Sequence, residues 1–210
     1  MRGILGSFFR SFKVPNPGRF RDLIRRVRDC DQEAATELVR RYECAIRRVA
    51  RIHLRDVRLR RVLDSMDICQ SVLASFFVRT ALGEYELDSP EQLLGLLTSI
   101  THNKVANQAH RLRAQRRDLR RDVPLDDQAY QIFDQASDPS EQESAKEILE
   151  KVRRLLGDDD RYLAEQRALG RGWQELADEL GGTAAALRKR LSRALDRVMA
   201  ELGLDEADHE

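Results

Sequence analysis

Residues Trp173–Val198 read WQELADELGGTAAALRKRLSRALDRV, and this stretch decides the fold. Trp173–Leu180 predicts a short helix, with Leu176, Ala177 and Leu180 on one buried face. Gly181-Gly182 predicts a tight turn, and Thr183 is an N-cap for a second helix running to about Val198 or beyond. A short helix, a three-residue turn containing glycine and a second helix make the helix-turn-helix arrangement. In the second helix Leu187, Leu191, Leu195 and Val198 must face a core. Ala185, Ala186, Lys189, Ser192 and Arg193 point away from it. Small residues at the helix start let the backbone approach a major groove, where Lys189 and Arg193 reach base edges or phosphates. Arg188 and Arg190 flank that stripe and suit phosphate contacts, which add affinity but little sequence information.

Composition agrees with helices. Of 210 residues, 41% are hydrophobic, only 6% aromatic and 35% charged. Abundant Leu, Ala, Arg and Glu favour packed helices over sheets. The net charge of +1 does not announce a polyanionic partner, but its distribution does. Thr101–Arg121 carries seven Lys/Arg against one Asp, and Arg188–Arg197 carries five against one. Between them, Asp122–Glu150 carries nine Asp/Glu against one Lys. Two basic stripes therefore flank an acidic stretch.

The rest of the chain reads as further helices. After a tail ended by Pro15, Pro17 and Gly18, a helical pattern starts near Arg19. A second helix spans about Asp31–Leu54, capped by Asp31. A third spans about Asp64–Thr80, with Met66, Ile68, Cys69, Val72, Leu73, Phe76 and Phe77 forming a broad apolar face. Asp67, Gln70, Ser71 and Ala74 lie opposite; that small, flat, polar face suits docking against another helix. Gly83–Asp88 is a loop. Ser89-Pro90-Glu91-Gln92 then gives a capping-box start to a helix of about Pro90–Arg117. Its outer face, with Ser99, His102, Asn103, Ala106, His110, Arg113 and Arg117, turns basic toward the C-terminal end. Asp118–Ser144 reads as a linker, with Pro124 and Pro139 as breakers and a short helix around Ala129–Phe133. Helices resume at about Glu141–Leu156 and Arg161–Ala168.

Several stretches together resemble the extracytoplasmic-function sigma factors of bacterial RNA polymerase. Glu175–Val198 resembles that family's domain-four helix-turn-helix, including the run Arg190–Ala194. DSMDICQSVLASFFV (Asp64–Val78) resembles its polymerase-clamp-binding helix. LLGLLTSITHNKVANQAHRLRAQRRD (Leu93–Asp118) resembles the helix that reads and opens the upstream edge of the transcription bubble. Three such motifs in this order, around an acidic linker, cover about Arg19–Gly203. The chain departs from the family pattern in three places. His102 stands where Arg is usual, Asn107 where Asp is usual, and Gly182 where the turn usually has Ile or Val.

The resemblance implies an all-α fold of two small helical domains joined by an acidic linker. Residues 1–18 would be a flexible tail, 19–117 sigma domain two, 118–142 the linker, 143–203 sigma domain four and 204–210 an acidic tail. Asp67, Gln70, Ser71 and Ala74 would meet the clamp of the polymerase largest subunit, and domain four the flap of the second subunit. His102, Asn103, Asn107, His110, Arg111, Arg113 and Arg117 would sit on the minus-ten element. Tyr85, in the Gly83–Ser89 loop, would stack on a flipped base. Thr183, Ala185, Ala186, Arg188, Lys189, Arg190, Ser192 and Arg193 would read the minus-thirty-five element. The acidic linker would thread toward the active centre and RNA exit path. The implied partners are core RNA polymerase, promoter DNA and an anti-sigma factor, for a cytoplasmic chain that is monomeric when free.

The residues argue against other classes. Cys30, Cys44 and Cys69 are odd in number and lack a C-x-x-C, so neither a disulfide framework nor a structural zinc site is expected. No apolar run reaches the roughly 18 residues of a membrane span. The N-terminal patch broken by Arg10 and Lys13 is too short and charged for a secretory signal. His53, His102 and His110 lack carboxylates at ligand spacing, so no metal is expected. Trp173 reads as packing. No nucleophile, carboxylate pair or phosphate-cradling loop stands out, so neither catalysis nor a cofactor is expected. Charge and periodicity alone leave open a stand-alone helix-turn-helix regulator, which needs a dimer interface, and a helical adaptor for acidic proteins.

Overall fold

A computed structural model describes residues 17–54, 64–118 and 139–204; the side chains of 17, 111–118 and 139–146 lie outside that description. The described residues form eight helices and no strand. They are α1 (Pro17–Arg28), α2 (Gln32–His53), α3 (Ser65–Ala81), α4 (Pro90–Asp118), α5 (Pro139–Leu155), α6 (Asp158–Ala168), α7 (Trp173–Leu180) and α8 (Ala184–Glu201).

The helix starts follow local chemistry. Asp31 caps α2 by accepting from the Ala34 N–H at 3.0 Å. Arg26 holds the same carboxylate at 2.8 Å, and this hydrogen bond, with the one from Ala34, keeps Asp31 below the usual carboxylate range. Ser89 Oγ accepts from the Gln92 N–H at 3.3 Å. The Gln92 side chain accepts in return from Asp88 N–H at 2.7 Å, one residue earlier than a standard capping box. Thr183 caps α8 by accepting from Ala186 N–H at 3.1 Å. Two expected boundaries shift. Pro17 and Pro139, read as a tail end and a breaker, are each the first residue of a helix. Proline suits that position because its missing N–H would have no helical partner there. The remainder of the tail, the 129–133 helix and most of the linker fall outside the described residues.

The buried apolar residues divide into two clusters. In the first, Phe20, Leu38, Tyr42, Ile68, Phe76 and Leu97 join α1 to α4. In the second, Val152, Leu163, Trp173, Leu176, Leu191 and Leu195 join α5 to α8. The division does not follow the chain cleanly, because Ala81 and Leu82, at the end of α3, are buried in the second cluster. Leu180, expected inside, is 47% exposed. It is the last residue of α7, immediately before the Gly181 cap, and Leu176 and Ala177 already fill the face that meets α8.

Polar groups are buried where the two clusters meet. Arg79 on α3 donates to Glu84 at 3.0 Å and to Asp196 on α8 at 2.6 Å. Burial raises the Glu84 carboxyl above its ordinary value, while Arg79 and a hydrogen bond from Ser192 pull it back. Arg167 on α6 donates to the Gly83 carbonyl at 3.1 Å and pairs with Glu86 at 3.2 Å. Lys104 on α4 is buried and donates to the Leu204 carbonyl at 3.3 Å.

Candidate nucleic-acid interface

The α7–turn–α8 unit presents the sharpest candidate surface. Its turn is built on two positive φ angles, +80° at Gly181 and +95° at Gly182. A Cβ at Gly182 would meet nothing within 4 Å, so backbone conformation and not space selects glycine there. The departure from a branched residue in this turn therefore has a local cause.

Beyond the turn, the first exposed positions of α8 are Ala185 and Ala186. Leu187, Leu191, Leu195 and Val198 anchor the opposite face in the second cluster. The cations of this helix divide into two sets. Arg188 pairs with Glu86 at 3.0 Å, Arg190 with Asp159 at 3.0 Å and Asp160 at 2.6 Å. Lys189 and Arg193 are exposed and have no carboxylate partner among the described residues. Ser192, expected to point outward, is half-buried and bonded to Glu84, because α8 lies against the 82–88 segment there.

A second surface runs along α4. His102, Asn103 and His110 are exposed, and Asn107 is half-buried with a partner of its own. The side chains of Arg111, Arg113 and Arg117 fall outside the described residues. His102 meets His53 on α2, a pairing that helical periodicity does not reveal: their Nδ1 atoms lie 3.4 Å apart and the rings meet edge-on at 4.7 Å. No group of three His, Cys, Asp or Glu able to hold a metal occurs among the described residues.

Beside α4, the Glu84–Asp88 loop lines a cleft of about 390 Å³ together with Gln92, Leu96 and Arg188. Tyr85 in this loop stacks on Phe76, with centroids 6.1 Å apart and planes 8° from parallel. Its ring is thus held flat from one side by the core. On α3, Asp67 is exposed, while Gln70, Ser71 and Ala74 are half-buried at the surface of the same helix. The apolar side of α3 fills the first cluster, so this polar strip is the outer one.

A helix-turn-helix with an exposed cationic face and an outward polar strip on α3 converge with one comparison. A family model described as ECF sigma factor matches residues 17–203. The chain belongs to the ECF sigma factor family. As a sigma factor it binds RNA polymerase and directs promoter-specific transcription initiation. Its partners are core polymerase and promoter DNA, and members of this family are in general non-enzymatic regulators. No curated protein and no solved structure matches the chain. Among the described residues no helix is long and apolar enough to cross a membrane.

The polar junction between the clusters was not legible in advance. Arg79, Glu84 and Arg167 are ordinary charged residues in the sequence, and their partners stand up to 117 positions away. The only local hint was Gly83, a glycine at the end of an otherwise well-formed helix.

Proposed function

We propose that this sigma factor divides its work between two helical domains along the lines of its exposed faces. Residues 19–117 serve as domain two, 118–142 as the linker and 143–203 as domain four. Asp67, Gln70, Ser71 and Ala74 meet the clamp of the largest polymerase subunit, and domain four meets the flap of the second. The α4 face from His102 to Arg117 works on the minus-ten element and melts it, and Tyr85 offers a stacking face for an extruded base. The α8 face from Thr183 to Arg193 reads the minus-thirty-five element. The chain does no chemistry itself, acts in the cytoplasm, is monomeric when free, and is open to an anti-sigma factor.

One observation carries this reading: Lys189 and Arg193 are exposed beside Ala185 and Ala186 and have no carboxylate partner among the described residues. A cation already neutralised gains less from a phosphate than one held free. The test is initiation by core polymerase loaded with the purified chain on a promoter library. Removing both cations as Lys189→Ala and Arg193→Ala should flatten the salt dependence of promoter binding by roughly 0.9 per lost phosphate contact. Asp67→Ala with Gln70→Ala should weaken polymerase binding and leave that slope alone. Equal damage to both activities from both pairs would refute the division of labour.

A further inference from the structure

Two imidazoles from different helices meet at the surface of the first cluster. His53 is the last residue of α2, and His102 lies midway along α4. Their Nδ1 atoms are 3.4 Å apart. That spacing is long for a shared proton, since a good N–H hydrogen bond spans about 2.7–3.2 Å. It matches a shared cation: two nitrogens bound at ~2.0–2.1 Å to one tetrahedral zinc ion stand ~3.3–3.4 Å apart. We propose that His53 and His102 are two ligands of a site for a divalent transition-metal ion of the zinc class, which ties the end of α2 to α4 and sets positive charge on the outer face of α4. The part of that charge in promoter binding rests on the reading of this face as DNA-facing; the site itself does not.

Three features favour an ion there. The first is a fixed backbone. Ala50 and Leu54 beside His53, and Val105 beside His102, are buried in one core cluster, and Thr101 is buried with them. The two helices therefore hold their separation, and only side-chain torsions need adjust; χ2 of histidine is broad. The second is position. His53 ends α2, and the carbonyl end of a helix favours a cation. The third is access. His102 is exposed and His53 half-buried, so water reaches the remaining coordination positions. Among the described residues no third His, Cys, Asp or Glu joins the pair, so the ion keeps waters that a phosphate oxygen can replace. Imidazole suits zinc, nickel and copper, whereas magnesium and calcium prefer oxygen. His110 is too far to join: it lies two turns further along α4, ~12 Å away at ~1.5 Å per residue. Spacing along the chain hides the site because its two ligands stand 49 positions apart.

The test titrates zinc sulfate into the full-length chain, with the exposed thiols of Cys30 and Cys44 first capped by iodoacetamide. Wild type should take up a single zinc ion per chain, counted by native mass. With free zinc a hundredfold above its Kd, Tm should rise by roughly 5–11 °C. Nickel should act as zinc does, and magnesium should leave Tm unchanged. His53→Ala and His102→Ala should each abolish uptake and shift at unchanged helicity, while His110→Ala keeps both. Uptake that survives in His53→Ala, or is missing from the wild type, would overturn the site. The charge is read in the holoenzyme. Added zinc should steepen the salt dependence of promoter binding by roughly 0.9, the share of one phosphate contact, with wild type and not with His53→Ala. An ion that binds but leaves this slope unchanged would overturn its place on the DNA face. An ion that never binds would overturn the site and leave the reading of α4 intact.

Discussion

Replacing Arg79 with Met tests the polar junction most directly. The Arg79 side chain is 8% exposed and lies between Glu84, 7% exposed, and Asp196, 58% exposed. Met keeps the length and apolar stem of the side chain but removes the charge. Asp196 can turn to water, so its lost pair costs at most about 1 kcal/mol. Glu84 cannot. Leaving a buried carboxylate without its cation costs about 3–5 kcal/mol. The sum, about 4 kcal/mol, corresponds to a drop of ~8–16 °C in Tm for a chain of this size. The loss should depend on pH. Burial already lifts Glu84 above 4.5, and removing Arg79 lifts it further. Between 4.5 and the raised folded value, native Glu84 keeps a proton that the unfolded chain releases, so stability falls as pH rises through that window. Arg79→Met should therefore be closer to wild type at pH 5 than at pH 8. Arg79→Met with Glu84→Leu should recover at least half of the loss, since an apolar pair of similar volume avoids the desolvation problem. Urea unfolding followed by Trp173 emission measures all of this. A loss below about 1 kcal/mol for the single variant, or a double variant no better than the single, would refute the reasoning.

Three further outcomes follow from the same geometry. Gly182→Ala should destabilise the α7–α8 unit by about 1–3 kcal/mol, because a φ of +95° suits no side chain, and chemical denaturation will measure it. Asp31→Ala should lower the thermal midpoint at neutral pH; the deficit should vanish as pH falls below 3.8, where wild-type Asp31 takes up a proton and loses its partners. Cys69 is buried and its thiol is pushed up to about 12, whereas Cys30 and Cys44 are exposed. Iodoacetamide at pH 8 should therefore add two labels to the native chain and three to the denatured one, counted by intact mass.

How much of this was readable in the sequence depends on the range of the interaction. The α7–turn–α8 unit was legible almost residue by residue, since a cap, a two-glycine turn and an apolar stripe all lie within 26 positions. The outward placement of Asp67 on α3 and of His102, Asn103 and His110 on α4 was legible for the same reason, because helical periodicity assigns a side to each residue. The errors came at edges. Leu180 obeys the stripe but lies past the point where α8 covers α7, and Ser192 sits on the outward stripe of α8 yet is covered by another part of the chain. Periodicity names a face; it does not name what lies against it.

The sequence by itself determined that the chain is helical, where most helices begin and stop, and which face of each is apolar. Those properties are local, set by hydrogen bonds and side-chain spacing within a turn or two. The motif order was enough to reach the family. Only the tertiary structure decided that Leu82 and Gly83 leave their own helical bundle to pack against α5–α8, and which cations are spent on carboxylates. Among the described residues Lys189 has no carboxylate partner while Arg188 is held by Glu86, though the two are neighbours of equal charge. That distinction rests on which distant carboxylate comes within about 3 Å, and no pattern along the chain encodes it.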